Sequence, residues 1–123
     1  NIKYTANWIS SKENDFFKPY GISPQQFNIL RILRGATKPL KVQTIKERMI
    51  ERAPNATRLM DKLYAKKLIE RTRCRTDRRV VYISISKAGL SILDEIAVTQ
   101  LDFLDNITAK EATLFSDLLD KIR

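Results

Sequence analysis

The sequence predicts a mainly helical α+β chain in which one β-hairpin is set among six helices. Three observations carry this expectation. Only three glycines and four prolines punctuate 123 residues, too few for the many tight turns of a sandwich or barrel. Apolar residues recur at helical spacing over most of the length, and strict alternation appears once, at Val81, Ile83 and Ile85. The length suits one domain spanning 1–123, and 43% hydrophobic with 30% charged residues describes a folded chain and not a disordered tail.

Tyr4, Trp8, Ile9, Phe16 and Phe17 mark a first helix that stops before Pro19 and Gly21. Ser23-Pro24-Gln25-Gln26 then supplies an N-cap, a proline at the first helical position and a capping-box glutamine. Phe27, Ile29, Leu30, Ile32 and Leu33 follow as a wide apolar face ending near Gly35. Past Pro39, Val42, Ile45 and Met49 space a short third helix, and Pro54 restarts the chain into a fourth, Asn55 to Lys66, with Ala56, Leu59, Met60 and Leu63 as its buried stripe. The period then changes. Ile69 to Cys74 and Val81 to Ile85 read as the two strands of a hairpin whose charged tip carries Arg75, Asp77, Arg78 and Arg79. From Ser86 a fifth helix is expected to run to about Ile107 with two apolar stripes: Leu90, Leu93, Ala97, Leu101 and Leu104, and Ile92, Ile96, Phe103 and Ile107. Thr108 and Glu111 form a capping box that opens a sixth, with Phe115, Leu118, Leu119 and Ile122 on one side.

The residue inventory excludes several chemistries. There is no histidine and one cysteine, Cys74, so neither a disulfide within the chain nor a histidine-based metal or acid/base site can form, and no enzyme, metal site or cofactor is expected. No stretch approaches the ~18 apolar residues of a membrane span, and no continuous apolar run opens the chain, which makes the cytoplasm the default location and a membrane partner unexpected.

Charge is concentrated in the middle. Residues 31–87 hold 17 Lys or Arg against 5 Asp or Glu, whereas the two flanks together hold 6 against 9. A basic centre between mildly acidic ends suits a surface that meets a polyanion. The helices and hairpin of that centre are ordered as a helix-turn-helix followed by a β wing, with the fourth helix in the recognition position. On it, Asn55, Arg58, Lys62 and Lys66 fall three or four apart, on a face expected opposite Leu59 and Leu63, where they could enter a major groove together.

From Ile22 to Gly89 the sequence resembles the MarR family of winged-helix transcription regulators. The resemblance rests on Thr57-Arg58-Leu59-Met60-Asp61-Lys62-Leu63, on Leu68-Ile69-Glu70-Arg71, on the wing signature Asp77-Arg78-Arg79, and on the passage Ile83-Ser84-Ile85-Ser86-Lys87-Ala88-Gly89. It implies a homodimeric, sequence-specific binder of double-stranded DNA, most often a repressor, that reads a pseudo-palindromic operator. A DNA-binding lobe at about 22–89 would sit between dimerisation helices at about 1–20 and 87–123. Asn55, Thr57 and Arg58 would reach base edges and Lys62 a phosphate. In the wing, Asp77 would brace Arg79 for the minor groove while Arg75 and Arg78 take phosphates. A small aromatic or anionic effector would lodge between the dimer helices and the lobe, although no motif names its ligands.

Three positions depart from the family pattern. Lys67 replaces a glycine after the recognition helix, Lys41 stands where a Ser or Thr often caps the third helix, and Cys74-Arg75 replaces an acidic residue and a proline. Arginines at 71, 73 and 75 suggest a lowered thiol pKa for Cys74, which is otherwise read as an ordinary strand residue. The competing reading is a winged-helix protein-interaction module without specific DNA binding.

Overall fold

The computed structural model describes residues 1–50, 53–99 and 102–123, without the side chain of Phe103. Helix α1 spans Ile2–Phe17 and passes through a 3-10 turn, Lys18–Tyr20, to Gly21, whose φ of 70° reverses the chain. Helix α2, Pro24–Ala36, opens with the expected reciprocal cap: Ser23 Oγ accepts from the Gln26 N–H at 3.2 Å, and Gln26 Oε1 accepts from the Ser23 N–H at 2.9 Å. It ends at Thr37 in a left-handed conformation (φ 57°), so the stop falls two residues beyond Gly35, which stays helical.

Strand β1, Leu40–Lys41, joins β2 (Ile69–Arg73) and β3 (Val81–Ile85) in an antiparallel sheet of order β1-β3-β2. The wing is therefore the edge strand β2 and the central strand β3 of a three-stranded sheet. Leu40 pairs with Ile83, and the β2–β3 register runs from Ile69 opposite Ile85 to Arg73 opposite Val81. Helix α3, Val42–Arg48, begins at Lys41 with no side-chain cap, as the departure at that position implies.

Helix α4, Ala56–Ala65, closes in a Schellman arrangement: the Leu68 N–H donates to Leu63 O at 3.0 Å and the Lys67 N–H to Tyr64 O at 2.9 Å. Lys67 takes the left-handed conformation (φ 60°) that glycine would adopt without strain, at a cost on the order of 1 kcal/mol. Ser86 then fixes this end of α4 to the next helix. Its Oγ donates to Lys67 O at 2.7 Å and accepts from the Gly89 N–H at 3.1 Å, while its own N–H donates to Leu68 O at 3.1 Å.

Helix α5 is shorter than expected, Lys87–Ala97 instead of a run to residue 107. Val98 is its C-cap and Thr99 follows, two consecutive β-branched residues of lower helix propensity. The Thr99 hydroxyl bonds back to Glu95 O at 3.3 Å, and the Thr99 N–H turns to Ile96 O in a tighter i to i−3 bond. The two stripes accordingly reduce to one buried face, Leu93 and Ile96 with half-buried Ile92, while Leu90, Ala97, Leu104 and Ile107 are exposed. Leu101 and the side chain of Phe103 lie outside the described residues. A 3-10 turn at Asp102–Leu104 leads to α6, Ala109–Ile122, which carries the expected Thr108–Glu111 capping box.

The core gathers Ile29, Leu30, Ile45, Met60, Leu63, Ile69, Ile83 and Leu93, from α2, α3, α4, the sheet and α5. Helix α6 contributes no buried residue to it.

Candidate nucleic-acid interface

Helix α4 buries Ala56, Met60 and Leu63 and so turns its other side outward. Asn55, Thr57, Arg58 and Lys62 are all exposed there, and among the described residues no hydrogen bond or ion pair engages their side chains. Two neighbours behave otherwise. Lys66, expected on the same face, turns its ammonium to the Gly21 carbonyl at the α1–α2 junction. Leu59 is half-buried beside that strip and not opposite it, and its carbonyl accepts from Gln26 Nε2 at 3.3 Å. Gln26, read from sequence as a cap only, is also 96% buried by virtue of its 4% exposure, and it pins α2 against α4.

Sequence reasoning missed the brace on the other flank of α4. Arg71 of β2 pairs with Asp61, and its guanidinium lies 4.5 Å from the centre of the Tyr64 ring. The wing strand is thereby held to the outward side of α4. Asp61 and Arg71 both stand in the motifs quoted above, but ten residues and a helix end separate them, so no local periodicity signals the pair.

At the wing tip Arg75, Asp77, Arg78 and Arg79 are exposed. Asp77 Oδ1 accepts from the Arg79 N–H at 3.0 Å and lies 3.7 Å from Arg79 Nε, while 95% of the Arg79 side chain remains open to solvent. The turn closes through the Val80 N–H to Asp77 O (3.1 Å) and the Cys74 N–H to Val80 O (2.9 Å). Cys74 is half-buried, and its thiol pKa lies below the ordinary value. The principal cause is the Thr76 hydroxyl, 3.1 Å from Sγ, followed by the backbone N–H groups of Thr76 and Asp77; the flanking arginines are not what lowers it.

Apolar surface is left open elsewhere. Ile2, Tyr4 and Trp8 on α1, Leu104 and Ile107 after α5, and Leu114, Phe115, Leu118 and Ile122 on α6 are all exposed. Between α1, α2 and the end of α3 lies a cavity of about 250 Å³, lined by Phe17, Phe27, Asn28, Met49, Glu13 and Arg31 among others. No helix among the described residues is long and apolar enough to cross a membrane.

A helix-turn-helix built from α3 and α4, followed by an arginine-tipped wing, defines a winged-helix protein of the transcription-regulator class. Comparison with known proteins gives the family. Residues 22–81 match the family model described as MarR family. The chain is 30% identical to the MarR transcription factor from Planctomyces limnophilus, with 98% of this chain and 86% of that one covered and a TM-score of 0.75. A mutant MarR from E. coli, solved in complex with operator DNA, is similar at 24% identity and a TM-score of 0.81, over 98% and 90% of the two chains. The HTH-type transcriptional regulator PapX of Escherichia coli is 28% identical over 93% of this chain and 73% of its own. The chain belongs to the MarR family of transcriptional regulators.

Proposed function

We propose that this regulator binds double-stranded DNA sequence-specifically as a homodimer and acts as a ligand-responsive repressor on a pseudo-palindromic operator. The observation that carries the reading is the free state of Asn55, Thr57, Arg58 and Lys62: four polar side chains on the outward side of α4 have no partner among the described residues, while nearby Asp61, Lys66 and Arg71 are all engaged. Asn55, Thr57 and Arg58 lie at the N-terminal end of α4, which in a helix-turn-helix reaches deepest into the major groove. Lys62 meets a phosphate. Asp77 orients Arg79 toward the minor groove, and Arg75 and Arg78 contact phosphates beside it. The MarR relative solved with operator DNA shares this fold. Repression is the mode that the family resemblance implies.

Residues of about 22–89 act as the DNA-reading lobe. The dimer forms through the apolar faces of α1 and α6 and the segment after α5, because α5 itself spends its apolar face on the core. The cavity beside Phe17 and Phe27 fits a small aromatic anion, with Arg31, 5.8 Å from the Phe27 ring centre, available to the charge.

Anisotropy titrations on a selected operator test the DNA reading. Arg58→Ala is expected to weaken operator binding about 100-fold or more and to narrow its margin over random duplex, because a base-edge contact is worth ~1–3 kcal/mol of discrimination and the dimer makes it in both half-sites. Arg79→Ala should weaken an A·T-flanked operator more than a G·C-flanked one, since a narrow minor groove attracts arginine. Unchanged affinities for both variants would remove these roles, and no DNA binding at low salt would favour a protein-interaction module instead.

Effector action is tested by linkage. An aromatic acid found by thermal shift to weaken DNA binding must bind the DNA complex more weakly by the same factor, typically about 5- to 150-fold. Equal affinity for the free and DNA-bound dimer would exclude the switch for that compound.

A further inference from the structure

Beside the recognition helix, Lys62, already assigned to a phosphate, shares a cationic cleft with two lysines to which neither the motifs nor the wing gives a role. The cleft, of about 450 Å³, opens between the α1–α2 junction and α4, lined by Lys18, Lys62, Lys66, Asn14, Gly21 and Leu59 with the first turn of α2. Three lysines line it, and no carboxylate is among its described lining residues. The polar groups of the α2 start, Ser23 and Gln26, are already spent on their reciprocal cap, so the lysines supply its charge. Lys66 is fixed at the edge by the Gly21 carbonyl, while the side chains of Lys18 and Lys62 have no partner among the described residues.

The position of the cleft points to its occupant. With 3.6 residues per turn, Lys62 and Lys66 lie about 100° to 160° around α4 from Asp61 and Tyr64, the two residues that Arg71 of β2 holds. The wing therefore stands on one flank of α4 and the lysine cleft on the other. A helix seated in a major groove is bounded by a phosphate strand on each side of a groove ~12 Å wide, so a wing on one flank leaves the second strand to be met by whatever lies on the opposite flank.

We infer that Lys18, Lys62 and Lys66 form a phosphate cleft that grips the DNA backbone on the flank of the recognition helix away from the wing. The inference rests on the DNA-binding reading above and adds Lys18, which lies outside the helix-turn-helix, to the contact surface. A concave group of three lysines matches the diffuse charge of a backbone phosphate, which requires no base-specific geometry.

The test is a salt titration of DNA affinity for the full chain and for Lys18→Ala, on operator and on random duplex. Wild type should show a steep slope of log affinity against log salt. Lys18→Ala removes one lysine from each protomer of the dimer, so it should lower that slope by about two and weaken binding about 25- to 100-fold at 0.1 M salt, by the same factor on both duplexes, because two counterion releases are lost. Lys18→Arg should restore both values. A wild-type slope retained in Lys18→Ala, or a loss confined to the operator, would overturn the cleft while leaving DNA binding intact. Absence of wild-type binding would overturn the DNA reading itself. Thermal stabilisation by inorganic phosphate that depends on Lys18, with an unchanged DNA slope, would assign the cleft to a free anion and would likewise refute the inference.

Discussion

Replacing Phe115 and Leu118 together by glutamate is expected to leave the winged lobe folded and the protein monomeric at micromolar concentration, with operator affinity reduced about a thousandfold. These side chains are 52% and 49% exposed on a helix that contributes nothing buried to the core. Folding of one chain therefore gains little from them. In a two-fold dimer each residue is counted twice. Removing four buried apolar side chains forfeits ~1.5–3 kcal/mol apiece, before the added penalty of confining unpaired carboxylates, against the ~8 kcal/mol that holds a micromolar dimer together. A monomer presents one recognition helix and so loses the 10²- to 10⁴-fold advantage of linked half-sites. Sedimentation reads the first effect and anisotropy the second. A double variant that still sedimented as a dimer would place the interface elsewhere.

The second large effect concerns Gly89, near the start of α5. A Cβ there would stand 2.3 Å from the Leu68 carbonyl oxygen and 2.7 Å from Ile85 Cγ1. The first contact is with backbone, which cannot rotate away. Helix propensity alone would favour alanine by ~1 kcal/mol, but the overlap should prevail and leave Gly89→Ala destabilised by about 2–3 kcal/mol, lowering the melting temperature by roughly 10 °C. Gly35→Ala is the matched control. Nothing lies within 4 Å of its added Cβ, so it should melt at or slightly above wild type. If Gly89→Ala melted with that control, the close approach of α5 to the strand ends would be wrong.

Features carried by neighbouring residues were legible in the sequence. Ser23 with Gln26 and Thr108 with Glu111 announced two helix starts, and alternation announced Val81 to Ile85, because a cap or a pleat needs only a few consecutive side chains. Strand β1 was not legible, since two residues cannot display alternation and Leu40–Lys41 is a strand only because β3 lies beside it. The end of α5 was hidden for the opposite reason: apolar spacing continues through Leu104 and Ile107, although Thr99 has already turned the backbone. The exposed residues of α4 and the wing could be named from their motifs. Which of their neighbours were engaged could not, because Arg71 on Asp61 and Lys66 on Gly21 are pairings made by the folded chain across 10 and 45 residues.

Ser86 has a mechanical consequence. Its bonds to Lys67 and Leu68 on one side and to Gly89 on the other weld the C-terminal end of α4 to the N-terminal end of α5. A tilt of the recognition helix about this joint would have its pivot at the far end from Arg58, and it would have to carry along or break the Gln26–Leu59 bond that pins the near end to α2. Ten residues of helix make an arm of roughly 15 Å, so a tilt of about 10° transmitted through α5 would sweep the tip by about 2.5 Å. A displacement of that size exceeds the tolerance of a hydrogen bond to a base edge. Small rotations among the helices at the chain ends, passed through the Ser86 joint, would thus be amplified at the DNA once the Gln26–Leu59 bond yields.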